Sequence, residues 1–437
     1  MTKTLFALVI ILLLALDAKA SEKTEISLPS GTDLIVTAFE GGSRTLIIWI
    51  HSERGASPEM AESATHIARA GFDLWAVDLH GTYMAAPGRS SLDGFDPGDI
   101  YQLMRAARER GYERIVLGAV NRGAILALRA GRKWQLEHPR DHSFRGYIFL
   151  HPHLIDGAVE IGEDAAYLPV ARAVNKPVFI LQPEFATKFL RRDQVARQLK
   201  RGGAVIKQVT MENVVAGFHA RPRENLSEDD LAMRAEMGRL FSQAVDFLAA
   251  AVQPEKAAPL EGKKTVGTAA KPDARSLHPF VGDPVPPALT LADIDGRPYD
   301  LTAYKGRVVL VNFWATWCGP CIKEIPSLNN LVEKMRGKDF QLLSVDIKEP
   351  AGRVRSFLKR LKLEPGFPIL MDRNGEVSKA WKVYAYPSTF LIDRTGTIRY
   401  AKSGALEWDD QEVIDTIASL FWGGRRGTWL AVAALIS

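Results

Sequence analysis

The chain has 437 residues, of which 46% are hydrophobic and 24% charged, and its 56 Lys and Arg outnumber 51 Asp and Glu to leave a net charge of +5. At about 150 residues per domain this length gives two or three domains with an ample core, in the composition range of soluble proteins. The charge is small for the size and no basic run carries interleaved aromatics, so nucleic acid is excluded as an expected partner.

Residues 1–20 open the chain with Lys3, an apolar stretch from Leu5 to Leu16, and small residues at Ala18-Lys19-Ala20 before Ser21. This is the form of a secretory signal peptide, with an apolar core well short of the roughly 20 residues a spanning helix needs. No cysteine lies near the cleavage point, which excludes a lipoprotein anchor. The mature chain is therefore expected to be extracytoplasmic, with no transmembrane segment after cleavage.

From residue 21 to 253 strands and helices alternate. Strands are expected at Thr45–Ile50, Phe72–Val77, Arg114–Gly118, Gly146–Leu150, Pro177–Leu181 and Ala204–Val209. Helices are expected at Pro58–Ala70, Asp96–Arg110 and Arg122–Lys133, and one long helix at Ser227–Ala250. Near-continuous apolar strands between helices predict an α/β class with a mostly parallel, doubly wound sheet covered on both faces. This order resembles an α/β-hydrolase domain. Its nucleophile turn, Gly-x-Ser-x-Gly in that family, reads Ala119-Val120-Asn121-Arg122-Gly123 here, and an amide offers no ionisable nucleophile. His219 follows the last strand, where the resemblance puts the catalytic histidine, and Glu184 follows the preceding strand near the acid position. The oxyanion turn is altered to His51-Ser52-Glu53. The resemblance thus implies a non-hydrolytic domain for binding a partner or ligand. The alternatives are an active hydrolase, with Ser90 or Ser91 standing in as nucleophile, and a scaffold protein.

Ligands of open α/β sheets bind beyond the carboxyl ends of the strands. His51, His80, His151, His153 and His219 all fall at that edge with Asn121 and Glu184. Histidines suit ordinary hydrogen-bonding at loop ends, while His151-Pro152-His153 could offer two imidazoles to a metal such as zinc or copper.

Between 254 and 287 the composition shifts to Ala, Lys, Pro and Gly, with Phe280 the single aromatic. This predicts a flexible linker spanning roughly 30 Å. A domain at 288–421 follows, and then a short tail at 422–437.

The last domain contains the only two cysteines, in Trp317-Cys318-Gly319-Pro320-Cys321, directly after the apolar run Val308–Trp314. A four-ligand metal site would want two more Cys or His nearby, and none follows at the usual spacing. With Gly319 and Pro320 opening a helix, Cys318 sits beside unpaired amides at the positive helix end, which favours thiolate. Cys321, one turn on, is placed to resolve a mixed disulfide. No cofactor is required for such dithiol chemistry.

Val308–Leu328, Asp372-Arg373-Asn374-Gly375 and Val383–Asp393 resemble the TlpA/ResA-like branch of the thioredoxin superfamily, the bacterial extracytoplasmic thiol-disulfide oxidoreductases. The resemblance implies a thioredoxin fold, Trp317 flanking the dithiol, and Pro387 as the cis-proline that shapes the client groove. Asn312 stands where thioredoxins carry a buried acid, and Glu324 matches the acid that replaces it as proton acceptor for Cys321. The Gly-Pro dipeptide is that of thioredoxin, whose potential lies near −270 mV, and points to a reductant of protein disulfides. Outside the cytoplasm the resemblance implies a membrane thiol reductant of the DsbD/CcdA kind as electron source.

Overall fold

The structure, a computed structural model, describes residues 22–422 apart from 89, 158, 160 and 262–275. The leader 1–20, the middle of the expected linker and the tail beyond Trp422 lie outside the described residues. The chain divides into two compact units, the first comprising residues up to His153 with Val170–Gln182 and Leu199–Leu260. The second comprises Leu154–Pro169, Pro183–Gln198 and the residues from Glu261 on.

The first sheet is built from β1 (Glu22–Ser27), β2 (Asp33–Phe39), β3 (Thr45–Ile50), β4 (Asp73–Val77), β5 (Arg114–Val120), β6 (Phe144–Leu150), β7 (Val178–Phe185) and β8 (Ile206–Val215). Around it lie α1 (Met60–Arg69), α2 (Leu79–Thr82), α3 (Pro97–Glu109), α4 (Gly123–Glu137), α5 (Arg192–Arg201), α6 (Glu228–Ala235) and α7 (Met237–Ala250). Strand order is β1-β2-β4-β3-β5-β6-β7-β8. The strands from β4 through β3, β5 and β6 to β7 pair in parallel, while β2 joins β4 antiparallel. Every residue of β3 and β4 is buried, the signature of strands covered on both faces.

Two expectations for this region are corrected, and two elements are new. The hairpin β1–β2 and the helix α5 were not anticipated. The single closing helix is two, because Ser227 and Asp230 form a capping box that starts α6, and Glu236 ends it before α7. Glu184 does not follow β7 but lies within it.

The second unit holds β9 (His278–Pro279), the hairpin β10 (Thr290–Ala292) with β11 (Pro298–Asp300), β12 (Val308–Trp314), α8 (Gly319–Lys334), β13 (Phe340–Ile347), α9 (Ala351–Leu361), β14 (Ile369–Asp372), α10 (Glu376–Ala380), β15 (Ser388–Ile392), β16 (Ile398–Ser403) and α11 (Gln411–Ser419). Its six-stranded sheet has the order β14-β13-β12-β15-β16-β9. Strand β12 runs parallel to β13 and antiparallel to β15. Side chains alternate across a strand, so Val309, Val311 and Phe313 enter one core with Trp381, Phe390, Phe189 and Leu190. Val308 and Leu310 enter the other with Leu328, Leu331 and Trp408. This mixed α/β sheet is a thioredoxin fold.

Both ends of the expected linker are ordered. Asn175 Nδ2 donates to Lys256 O and Arg132 Nη1 to Ala258 O, both at 2.6 Å, within the first unit. In the second, β9 pairs with β16 and Phe280 packs edge-on against Phe390, with ring centroids 5.9 Å apart.

Candidate active site

Strand β12 is wholly buried and delivers the chain to the turn Ala315–Trp317, where α8 begins. Cys318 is the residue before the helix, and its Sγ accepts from the Cys321 amide at 3.3 Å. The sulfur therefore takes the place of a capping oxygen at the positive helix end. Cys318 and Cys321 form a disulfide, with Cα atoms 5.3 Å apart. Cys321 is fully buried, while Cys318 keeps 6% of its surface exposed.

The Tyr386–Pro387 peptide is cis, as the resemblance implied, and leads into β15 beside β12. The Trp317 and Tyr386 rings meet edge to face at 5.5 Å. Glu324 lies one turn beyond Cys321 on α8 and is 2% exposed. Its Oε1 accepts from Asn312 Nδ2 at 2.8 Å and its Oε2 from Trp408 Nε1 at 3.0 Å. Asn312 also donates to Thr389 Oγ1 at 3.0 Å, directly across the β12–β15 pair. Burial raises the Glu324 carboxyl from 4.5 to about 7, against the opposing pull of its Trp408 and Asn312 donors. Trp408 and Thr389 were missed from sequence: an indole 84 residues downstream carries no local signal for this contact. The arrangement sets a disulfide-forming sulfur pair one helical turn before a buried acid poised to gain or lose a proton near neutrality.

The family model "Redoxin" matches residues 280–417. Thiol-disulfide oxidoreductase ResA of Geobacillus thermodenitrificans is 38% identical over 124 residues, covering 28% of this chain and 70% of that protein. The chain belongs to the ResA family of thiol-disulfide oxidoreductases. ResA of Geobacillus kaustophilus is 36% identical over 126 residues, covering 29% of this chain and 71% of its own. The solved structure of StoA from Bacillus subtilis is 29% identical, covering 28% of this chain and 91% of that one, with a TM-score of 0.25. Like ResA, the second unit is thus a thiol-disulfide oxidoreductase.

The ResA-like match leaves the first unit's residues to their own geometry. Asn121 stands in the turn between β5 and α4 with φ 52°, a left-handed conformation rare for residues other than glycine. Its Nδ2 donates to Glu53 Oε1 at 2.6 Å, so the two altered positions of the hydrolase-like pattern hold each other. The Asn121 carbonyl accepts from the His153 amide at 3.0 Å. Gly123 lets α4 start against β3, since a Cβ there would meet His51 O at 2.4 Å.

His51 lies within electrostatic reach of both His80 and His219. Burial lowers His219 to about 3, with His51, Arg234 and Arg221 adding to the effect, and its Nδ1 has no partner among the described residues. His51, densely packed although part of its surface reaches solvent, is lowered to about 4 by burial, with Asp78 opposing. His80 Nε2 lies 2.8 Å from Ser91 Oγ, and Ser91 also donates to Gly88 O at 2.8 Å. His151 is buried in a left-handed conformation, φ 39°. Glu184 Oε1 pairs with Lys348 Nζ at 3.4 Å, both residues belonging to the second unit. Among the described residues, no group of three or more His, Cys, Asp or Glu is placed to hold a metal ion, so His151 and His153 are not joined by a third ligand.

Proposed function

We propose that the protein is an extracytoplasmic reductant of protein disulfides that works through Cys318 and Cys321. The observation that carries this reading is the asymmetry of the pair: Cys318 reaches the surface at the helix start, whereas Cys321 is enclosed one turn above Glu324. In the reduced form the Cys318 thiolate attacks one sulfur of a client disulfide, forming a mixed disulfide and expelling one client thiolate. Cys321 then gives its proton to Glu324 and attacks Cys318, which releases the second client thiolate and leaves the Cys318–Cys321 disulfide. Two electrons pass to the client, whose two sulfurs take up two protons. Pro387 and Tyr386 with Trp317 border the sulfurs and form the surface against which a client backbone lies. Electrons return from a membrane thiol reductant of the DsbD/CcdA kind. The leader at 1–20 supports export, and among the described residues no helix is long and apolar enough to cross a membrane.

For the first unit we propose an α/β-hydrolase-like domain that binds a partner or ligand without hydrolysing it. Its strand order, the antiparallel β2, the turn at Asn121 after β5 and His219 after β8 support this reading. A second reading, an active hydrolase, draws on the contact between His80 and Ser91. It is disfavoured because the Ser91 hydroxyl is already committed to the Gly88 carbonyl.

The dithiol assignment is tested by trapping. Cys321→Ser should accumulate mixed disulfides with client proteins on non-reducing gels, and Cys318→Ser should accumulate none. The reverse pattern would overturn the assignment of roles.

A further inference from the structure

Two carboxyl groups that the dithiol mechanism does not use are enclosed beside the active-site turn. Asp346, on β13 opposite Trp314, is 0% exposed, and Glu349, just before α9, is 1% exposed. Glu349 takes both polar groups of Thr316, two residues before Cys318. Its Oε2 accepts from the Thr316 amide at 2.6 Å and its Oε1 from the Thr316 hydroxyl at 2.6 Å. Arg353 Nε on α9 also donates to Oε1, at 2.8 Å. By contrast, neither oxygen of Asp346 accepts a well-formed hydrogen bond.

A buried carboxylate with no donor would be costly, and a buried carboxyl that keeps its proton becomes a donor itself. Glu349, three residues further along the chain, is the acceptor within its electrostatic reach. Burial first, then the charge of Glu349 and a hydrogen bond to it, push Asp346 well above the usual carboxylate range. The Glu349 amide and Arg353 oppose this and do not outweigh it. Other ionisable groups around the pair are Tyr386, whose phenol burial and Asp372 raise, and Asp372 on β14, whose carboxylate is taken up by Ser378.

We propose that Asp346 stays protonated and donates to Glu349, and that the two act together as a positioning device for the Thr316–Cys318 turn. Glu349 grips the turn from behind while Asp346 satisfies Glu349 without adding a second negative charge next to the thiolate. With Arg353 as counter-ion, the cluster is close to neutral. A charged Asp346 would disfavour the Cys318 thiolate by like-charge repulsion. The inference rests on Cys318 being the attacking thiol.

The test is the pH profile of alkylation of the reduced full-length protein, with its rate of reduction of an insulin disulfide. Asp346→Asn replaces a protonated carboxyl by a neutral amide that can still donate to Glu349, and should leave the profile and the rate within about twofold of wild type. Glu349→Gln should displace the profile and slow reduction by about tenfold, because the hydrogen bonds it weakens are charge-assisted. Thr316→Val, which removes only the hydroxyl arm, should move both readouts in the same direction by less, and it decides the matter alone if Glu349→Gln does not fold. An Asp346→Asn protein displaced as far as Glu349→Gln would mean that Asp346 is charged, and would overturn the proposal. Unmoved Glu349→Gln or Thr316→Val profiles would do the same. Mapping the alkylated residue in wild type separates the two kinds of failure: label on Cys321 removes the assignment of Cys318, whereas label on Cys318 with unmoved variants removes only the positioning role.

Discussion

Glu324 is the residue whose surroundings make the firmest quantitative demand. In the folded oxidised protein its carboxyl keeps a proton up to about pH 7, whereas its unperturbed value is 4.5. Below pH 4.5 the acid is protonated in both folded and unfolded chains and nothing is lost. As pH rises from 4.5 to about 7 the unfolded chain has released the proton while the folded chain still holds it, so the native state loses about 3 kcal/mol across that interval and the curve levels above it. Glu324→Gln has no such titration. Urea unfolding of both oxidised proteins between pH 4.5 and 8 should therefore show the variant gaining on wild type by about that amount, over the interval set by the two values. A constant gap would mean that the acid does not titrate as its burial demands.

At the scale of elements, the passage β5–turn–α4 decides what the first unit can do. Under the proposed hydrolase-like reading, Asn121, fixed to Glu53 and held at φ 52°, leaves no group at the nucleophile place to form an acyl intermediate. The full-length protein is expected to show no turnover of p-nitrophenyl acetate above the buffer rate, and His219→Ala to change nothing. Turnover abolished by His219→Ala would reinstate the hydrolase. This passage was legible because its strand and helix are apolar runs of ordinary length. The edge strand β1 was not: Glu22-Lys23-Thr24-Glu25-Ile26-Ser27 is mostly polar, and only its pairing with β2 makes it a strand. The helix α5, Arg-Asp-Gln-Val-Ala-Arg-Gln-Leu-Lys-Arg, buries little besides Val195 and Leu199, too few apolar residues to stand out. His278–Pro279 becomes a strand only because β16 lies beside it, which no local pattern encodes. Within the dithiol site, the two cysteines, Glu324 and Pro387 were legible from a contiguous motif and a resemblance. Trp408, Thr389 and the Asp346–Glu349 pair were not, because their partners are set by tertiary packing.

On the scale of the whole molecule, the chain passes between its two compact units five times. The core around the dithiol includes Phe189 at 4% and Leu190 at 8% exposure, both from the stretch Pro183–Gln198. A fragment of residues 276–422 keeps the dithiol motif and loses these two side chains. Full burial of side chains of this size contributes about 2 kcal/mol each, so the oxidised fragment should unfold about 4 kcal/mol more easily than the same unit in the intact chain. Chemical unfolding followed by the near-ultraviolet signal of Trp314, Trp381 and Trp408 measures this, and equal midpoints would show that the two residues add nothing to that core. The buried Glu324 carboxyl has a further consequence for the molecule as an electron carrier. Free-energy coupling between two sites is reciprocal, so if Glu324 takes the thiol proton as proposed, its own proton affinity must change by the same amount when the disulfide opens. Each pair of electrons then moves with a number of protons that varies around neutrality, and the potential of the couple bends with pH beyond the bend that the thiols' own ionisation gives. The protein would report the acidity of its compartment as a change in reducing power.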